Sequence, residues 1–383
     1  MWRNIASNAL TLFVVILIAA GAVVAWGKKQ YRTQGPLEAA ICLRVAGGSS
    51  FARVSRELVA QGAITNGSIF RVGVDYSGKA SQLKAGAFLV PEGASMEEIV
   101  DIVTRGGAST CGTEVVYRIG ILSRAVQVRE LDPATQRFVT KAEFAPENEA
   151  PADYLRVREQ GDTRYRIALA EGATSWQIVD ALNGADFLDG EVHELPEEGS
   201  LAPDSYEVRP GDTRADVIAR MAAAQAERLA AAWEARAEGL PYANAEEALI
   251  MASIVEKETG LAEERRQVAS VFVNRLNRGM RLQTDPTVIY GITKGQGALG
   301  RGLRQSELRS DTPWNTYVID GLPPTPIANP GLEAIEAALN PDSTPYLFFV
   351  ADGTGGHAFA ETLDEHNRNV AKWRKIEAER ANQ

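Results

Sequence analysis

Two glutamates one residue apart, Glu256 and Glu258, lie in the stretch ASIVEKETG (252–260), inside a helical run. A carboxyl group kept neutral near neutral pH can serve as a general acid. At 100° per residue, with Ile250 at zero, Ile254 falls at about 40°, Met251 at about 100° and Val255 at about 140°. Glu258 falls at about 80°, inside that apolar arc, and Glu256 at about 240°, beside Leu249 and Ala252. The phase predicts that Glu258 sits on the buried face with its neutral form favoured by desolvation, with Glu256 on the flank. The competing reading ends the arc at Val255 and makes Glu258 the start of a solvated last turn.

Further polar side chains gather downstream. VASVFVNRLNRGMRLQTDPTVIYGI (268–292) reads as a second amphipathic helix, then the polar run Gln283, Thr284 and Asp285, then another apolar turn that includes Tyr290. PWNTYVIDGLPPTPIANPG (313–331) is dense in turn residues around Asn315 and Tyr317, which predicts a rigid, hydrogen-bonding loop. His357 and His366, nine residues apart in YLFFVADGTGGHAFAETLDEHN, fit no compact metal pattern. They read as structural or substrate-facing hydrogen-bonders, and neither a metal nor another cofactor is expected. Cys42 and Cys111 have no CxxC spacing and no nearby histidine; they are either a disulfide of an extracytoplasmic chain or two partly buried thiols.

The elements that position these residues follow a repeat. GSSFARVSREL from Gly48, GASMEEIVDIV from Gly93, GATSWQIVDAL from Gly172 and GDTRADVIARM from Gly211 share one pattern. Glycine permits a turn, Ser50, Ser95, Thr174 or Thr213 caps a helix, and two apolar residues four apart make its inner stripe. Short strands precede these helices in ICLRV, GAFLV, YRIAL and DSYEV. Such strand–turn–helix units, used four times in two pairs, resemble glycan-binding LysM modules; the alternative is a scaffold built by duplication. Between the pairs, VQVRELDPATQRFVTKAEF alternates like a hairpin and APENEAPADY reads as a loop. An alanine-rich helix is expected from about Ala215 to Gly239, and Asn244 is the expected cap of the helix that carries Glu258.

The 383 residues carry a net charge of −10, which argues against a nucleic-acid partner but leaves an uncharged polymer such as a glycan open. Ala9–Trp26 contains no charge and is flanked by Trp2 and Trp26, as a membrane-spanning helix would be. A cleaved signal peptide is the alternative, although AWGKKQ is a poor cleavage site. Arg3 on one side and Lys28, Lys29 and Arg32 on the other leave the orientation open on charge alone.

ASIVEKETG, NRLNRGMRLQTDPTVIYG, NTYVIDGLPP and YLFFVADGTGGHAFAETLDEHN together resemble the endolytic murein transglycosylase family, the YceG-like membrane-anchored lytic transglycosylases. The resemblance covers the anchor, the repeat region and the C-terminal domain, and is poorest over 115–164. It implies cleavage of the β-1,4 bond between N-acetylmuramic acid and N-acetylglucosamine within peptidoglycan strands, leaving 1,6-anhydromuramoyl ends and terminating strand growth. One glutamate suffices there, because the muramoyl C6 hydroxyl is the nucleophile; a two-carboxylate hydrolase would need a partner. Related transglycosylases follow the catalytic glutamate with serine. Here Thr259 follows Glu258, which favours Glu258 over Glu256. Gln283, Thr284, Asp285, Tyr290, Asn315 and Tyr317 match motifs around the family's cleft and are assigned to substrate positioning. Peptidoglycan, the inner membrane and cell-wall synthases (penicillin-binding proteins) are the implied partners, with the C-terminal part in the periplasm.

The expected class is α+β. Its segments are a tail (1–8), a transmembrane helix (9–26), a linker (27–40), a LysM-like module (41–114), an insertion (115–164), a second repeat pair (165–221), a connecting helix (222–245) and a largely helical α+β catalytic domain (246–383). The rival to an enzyme is a membrane-tethered peptidoglycan-binding scaffold.

Overall fold

The computed structural model describes residues 2–105, 110–160 and 162–381; the side chain of Trp2, named above as an interfacial residue, lies outside that description. The first helix, α1 (Trp2–Arg32), outruns the expected span: it continues through the lysines and ends only at Arg32, so the expected linker is helical over 27–32. Leu10–Arg32 is long and apolar enough to cross a membrane.

The first repeat pair comprises β1 (Ile41–Val45), α2 (Phe51–Ala60), α3 (Gly67–Tyr76), β2 (Gly86–Val90) and α4 (Met96–Thr104). β1 and β2 pair antiparallel, from Ile41 opposite Val90 to Val45 opposite Gly86. The helix α3 was not legible as a repeat element; it is capped by Asn66, whose side chain accepts from the amides of Ser68 and Ile69. Cys42 and Cys111 form a disulfide, with Cα atoms 5.7 Å apart. That resolves the choice between a bridge and two thiols.

The middle segment forms β3 (Thr113–Ile119), β4 (Arg124–Asp132), β5 (Arg137–Phe144) and α5 (Ala152–Arg158). The alternation marks the β4–β5 hairpin correctly, whereas part of the stretch read as a loop is α5. Its first turn follows Pro151, which fixes the backbone at the helix entry. The second pair comprises β6 (Arg164–Leu169), α6 (Ser175–Asn183), β7 (Ser205–Val208) and α7 (Arg214–Glu234). Strands β3 to β7 form a five-stranded sheet in the order β5-β4-β3-β6-β7, with β6 and β7 antiparallel.

All four expected caps stand at helix starts. Gly48, Gly93, Gly172 and Gly211 all have positive φ, between 64° and 90°, which explains glycine there. Ser95 and Thr174 form full capping boxes with Glu98 and Gln177, Thr213 accepts from Asp216, and Ser50 makes no side-chain cap bond. The inner stripes, Val54 and Leu58, Ile99 and Val103, Ile178 and Leu182, Val217 and Met221, are buried in every copy. At the start of α7 the buried Arg214 guanidinium donates to the carbonyls of Leu182, Ala185 and Leu188, each at 2.6 Å, satisfying the end of α6 and the turn beyond it. α7 stops at Glu234 rather than Gly239, because Ala237 turns away to donate its amide to the Leu339 carbonyl.

Beyond α7 lie α8 (Ala245–Glu258), a 3-10 turn (Ala262–Glu264), α9 (Arg265–Asn277), α10 (Asp285–Thr293), α11 (Leu332–Leu339), β8 (Phe348–Ala351), β9 (His357–Ala360) and α12 (Leu363–Ala381). β8 and β9 make a two-stranded antiparallel sheet, and β8 is half-buried rather than fully buried. The chain divides into two compact units. One holds Met1–Val115, Gln127–Phe144 and Glu149–Arg164; the other holds Val116–Val126, Ala145–Asn148 and Tyr165–Gln383. The second unit contains α8 and every candidate site residue, together with the second repeat pair.

Candidate active site

Helix α8 opens at Asn244, whose side chain accepts from the Glu247 amide. From Ala248 to Val255 every residue is buried, in a core shared with Val268, Phe272, Ile335 and Leu339. This corrects the helix-phase argument. α8 has no solvated side over that stretch, so an apolar arc cannot separate the two glutamates. Both carboxyls are removed from water and raised above their ordinary values, in each case chiefly by burial. What distinguishes them is their partners. Glu256 accepts the Gly331 amide at 3.0 Å, which ties α8 to the start of α11. Glu258, the last residue of α8, accepts from the Thr284 hydroxyl.

Thr284 brings the TDP turn against α8. It is buried, and its amide donates to the Thr316 hydroxyl at 3.1 Å. The Thr287 hydroxyl donates to the Thr284 carbonyl at 2.8 Å and lies 2.9 Å from the Thr316 hydroxyl. Gln283, exposed and at a φ of 52°, donates its amide to the Thr316 carbonyl. Two motifs about thirty residues apart are thereby clipped together through one fully buried threonine, Thr316, which the sequence reading did not single out. Tyr317 next to it donates its hydroxyl to Asp285 Oδ1 at 2.7 Å. Burial, then the Asp285 carboxylate, and then Glu258 hold the Tyr317 phenol neutral well above its ordinary range. The Asp285 charge in turn adds to the rise at Glu258, which Thr284 and His357 oppose.

Glu258, Thr284, Asp285 and Tyr317 therefore form one cluster, with Gln283 at its edge. Asn315 and Tyr290 take other places. Asn315 is fully buried; its amide group donates to the carbonyls of Glu307 and Ser310 at 3.1 and 2.6 Å, and its oxygen accepts from the Tyr317 amide at 3.1 Å. Those bonds brace the loop under Tyr317. Tyr290 stacks at a tilt on Trp314, 5.8 Å between centroids, and its hydroxyl bonds the Glu198 carboxyl. It lines a cavity of about 260 Å³ beside the cluster, with Thr174, Gln177, Lys257, Pro286 and Ile327.

Two residues around the site, Glu198 and Arg275, were invisible as motifs. Glu198 is raised by burial and accepts from the Ser175 amide at 2.9 Å and from Asn329 at 3.2 Å. Arg275 on α9 donates to the carbonyls of Leu347 and Leu282 at 2.6 and 2.9 Å, fixing both the TDP turn and the entry to β8. His357 is held by Glu264, Nδ1 to Oε2 at 2.8 Å, so its role is in part structural. His366 stacks on Phe348 with ring centroids 5.2 Å apart. Among the described residues no group of three or more histidine, cysteine, aspartate or glutamate side chains is placed to hold a metal.

The Glu258 carboxyl is desolvated at a helix end beside Thr284 and Asp285, in an α+β protein with an N-terminal helix apolar enough to anchor it in a membrane. The chain belongs to the YceG-like family, whose model matches residues 141–372. It is 29% identical over 331 residues to the endolytic murein transglycosylase of Bacillus subtilis (strain 168), covering 86% of this chain and 84% of that one. It is 30% identical over 332 residues to the endolytic murein transglycosylase of Streptococcus pneumoniae (strain D39), covering 85% of this chain and 57% of that longer protein. A crystal structure of a yceG-like protein from Listeria monocytogenes is 27% identical, with a TM-score of 0.46 over 86% of this chain and 99% of that one.

Proposed function

We propose that the protein is a membrane-anchored lytic transglycosylase that cuts peptidoglycan strands internally, with Glu258 as its acid and base. The observation that carries this reading is the Glu258 carboxyl: desolvated, raised in pKa, and hydrogen-bonded by one hydroxyl. Protonated Glu258 gives its proton to the glycosidic oxygen as the bond from muramoyl C1 to that oxygen breaks. The resulting carboxylate then takes the proton of the muramoyl C6 hydroxyl as O6 bonds to C1. The products are a 1,6-anhydromuramoyl end and a free N-acetylglucosamine hydroxyl, and Glu258 is protonated again. One group serves both steps because they follow one another on a single path. Tyr317 and Asp285, coupled by their hydrogen bond, position the sugars, with Gln283 at the rim; Asn315 acts through the loop that it braces. Tyr290 belongs to the neighbouring cavity.

In this reading the N-terminus is cytoplasmic, α1 sits in the inner membrane and everything after Trp26 is periplasmic, where nascent strands are made. The repeat pairs are weak glycan-binding units, and cleavage ends strand elongation beside the synthases.

Digestion of purified sacculi followed by mass spectrometry tests the chemistry. Anhydro-ended fragments are expected. Hydrated reducing ends would transfer the reaction to a Glu258–Asp285 hydrolase, and intact sacculi would leave a binding scaffold. Glu258→Gln should lose about 10²–10⁴-fold in cleavage rate, the usual worth of general acid–base assistance. Glu256→Gln keeps an oxygen for the Gly331 amide and should lose much less; the reverse ranking would remove Glu258 from the mechanism.

A further inference from the structure

We infer that the outer face of α3 lies in the interfacial layer of the bilayer that α1 enters, so the first unit is seated on the membrane rather than suspended from it. The inference rests on α1 spanning a bilayer, and it is independent of the chemistry at Glu258.

The anchor does not end in a loose tether. α1 stays helical through Lys28 and Lys29, and its last turns pack on α3 and α4. Tyr31 is buried against Gly73, where an added Cβ would fall 2.1 Å from the tyrosine ring. Arg32 pairs with Glu97 on α4 at 3.2 Å, and just beyond the helix the Gly35 amide donates to the Gly93 carbonyl at 3.0 Å. The depth of α1 therefore sets the depth of α3.

Helix α3 carries two apolar stripes. Phe70 and Val74 are buried in the core of the unit. Ile69, Val72 and Tyr76, spaced i, i+3, i+7, make a second stripe on one face. Val72 is 68% exposed and Tyr76 is 86% exposed. These three side chains share a groove of about 570 Å³ with Val23, Val24 and Trp26 of α1. At a rise of 1.5 Å per residue the stretch Ala9–Trp26 spans about 27 Å, close to the hydrocarbon thickness of roughly 30 Å. Val23 and Val24 are thus at the edge of the hydrocarbon and Trp26 at its boundary. Whatever covers the valines on one wall of the groove also meets Val72 and Tyr76 on the other, and for the valines that occupant is lipid. The stripe suits that level: tyrosine and tryptophan favour the headgroup boundary. Lys28, Lys29 and Arg32 follow at the level of the phosphates, where basic side chains are attracted to anionic lipid.

Nitroxide labels at Val72→Cys and Tyr76→Cys in the full chain, reconstituted into phosphatidylethanolamine/phosphatidylglycerol nanodiscs, test this. The only two native cysteines are paired, so under non-reducing conditions the introduced thiol alone reacts. Relaxation by molecular oxygen and by a water-soluble nickel chelate reports depth, and Val15→Cys serves as the bilayer-centre reference. Interfacial values at both α3 positions, with a deep value at Val15→Cys, are expected. A deep Val15→Cys with water-like α3 labels overturns the inference alone. A shallow Val15→Cys overturns the spanning helix and the inference with it. Labels at α3 shielded from both reagents would place a protein there instead of lipid, which also overturns it.

Discussion

At the scale of single residues, the site turns on what holds Glu258. Burial raises its pKa, and the Thr284 hydroxyl opposes that rise by donating to the charged form. In the proposed reaction the acid step needs the protonated carboxyl, so the rate should fall as pH climbs through the raised value. Thr284→Val removes the donor and should move that falling limb to higher pH. Thr284→Ser keeps the donor and should leave it in place. Cleavage rate against pH for the three proteins checks this; an identical limb in Thr284→Val would mean that the hydroxyl does not tune the acid. Sequence spacing picked out Glu258 on a premise that the structure replaces: the helix is buried on all sides from Ala248 to Val255, and partners, not phase, separate Glu258 from Glu256. The placement of Asn315 and Tyr290 was beyond the sequence for a related reason. A polar residue in a turn-rich motif can face a ligand or its own backbone, and only the folded loop decides. Glu198 lies sixty residues before Glu258 and meets Tyr290 of the neighbouring cavity solely through tertiary packing, so no local pattern could have pointed to it.

Among the elements, the repeat was the most legible part of the chain, because its signal is local. A glycine at positive φ, a hydroxyl cap and two stripe residues four apart are all written within eleven positions. What the pattern did not carry was the strength of each cap. Ser95 makes a reciprocal capping box with Glu98, and Ser50 makes no cap bond at all. Ser95→Ala should cost about 0.5–2 kcal/mol, the usual worth of a lost N-cap, and Ser50→Ala distinctly less. Amide exchange in α4 and α2 reads the two losses separately, and equal losses would contradict the capping geometry. Helix α3 escaped notice because its Asn66 cap follows a different motif and its two apolar stripes blur the amphipathic period.

For the whole molecule, the acid site has a thermodynamic signature. Below the ordinary Glu258 value of 4.5 the carboxyl is neutral in both folded and unfolded chains. Between that value and the raised one the unfolded chain ionises while the folded chain does not, so stability falls as pH rises; above the raised value the loss is constant. Glu258→Gln lacks this term. Urea midpoints in detergent micelles should therefore show the variant gaining on the wild type from about pH 4.5 upward and then levelling off. A difference independent of pH would mean that Glu258 titrates normally in the folded protein. The separation into two units, with the Glu258 cluster wholly in one of them, was only partly legible. Composition marks the segment 115–164 as different in character, but its strands are divided between the units by long-range pairing that no window of sequence contains. The third repeat turn carries a consequence of its own. The Gly172 carbonyl accepts Lys257 at 3.3 Å, its amide donates to Asn329, and an added Cβ would meet Glu256 at 3.5 Å; an added Cβ at Gly48 would meet nothing. The Thr174 hydroxyl also donates a hydrogen bond to the Gly295 carbonyl at 2.6 Å. The four turns therefore carry unequal loads. At Gly48 only the positive φ stands against a side chain, whereas at Gly172 an added side chain would also press on the helix that carries both glutamates.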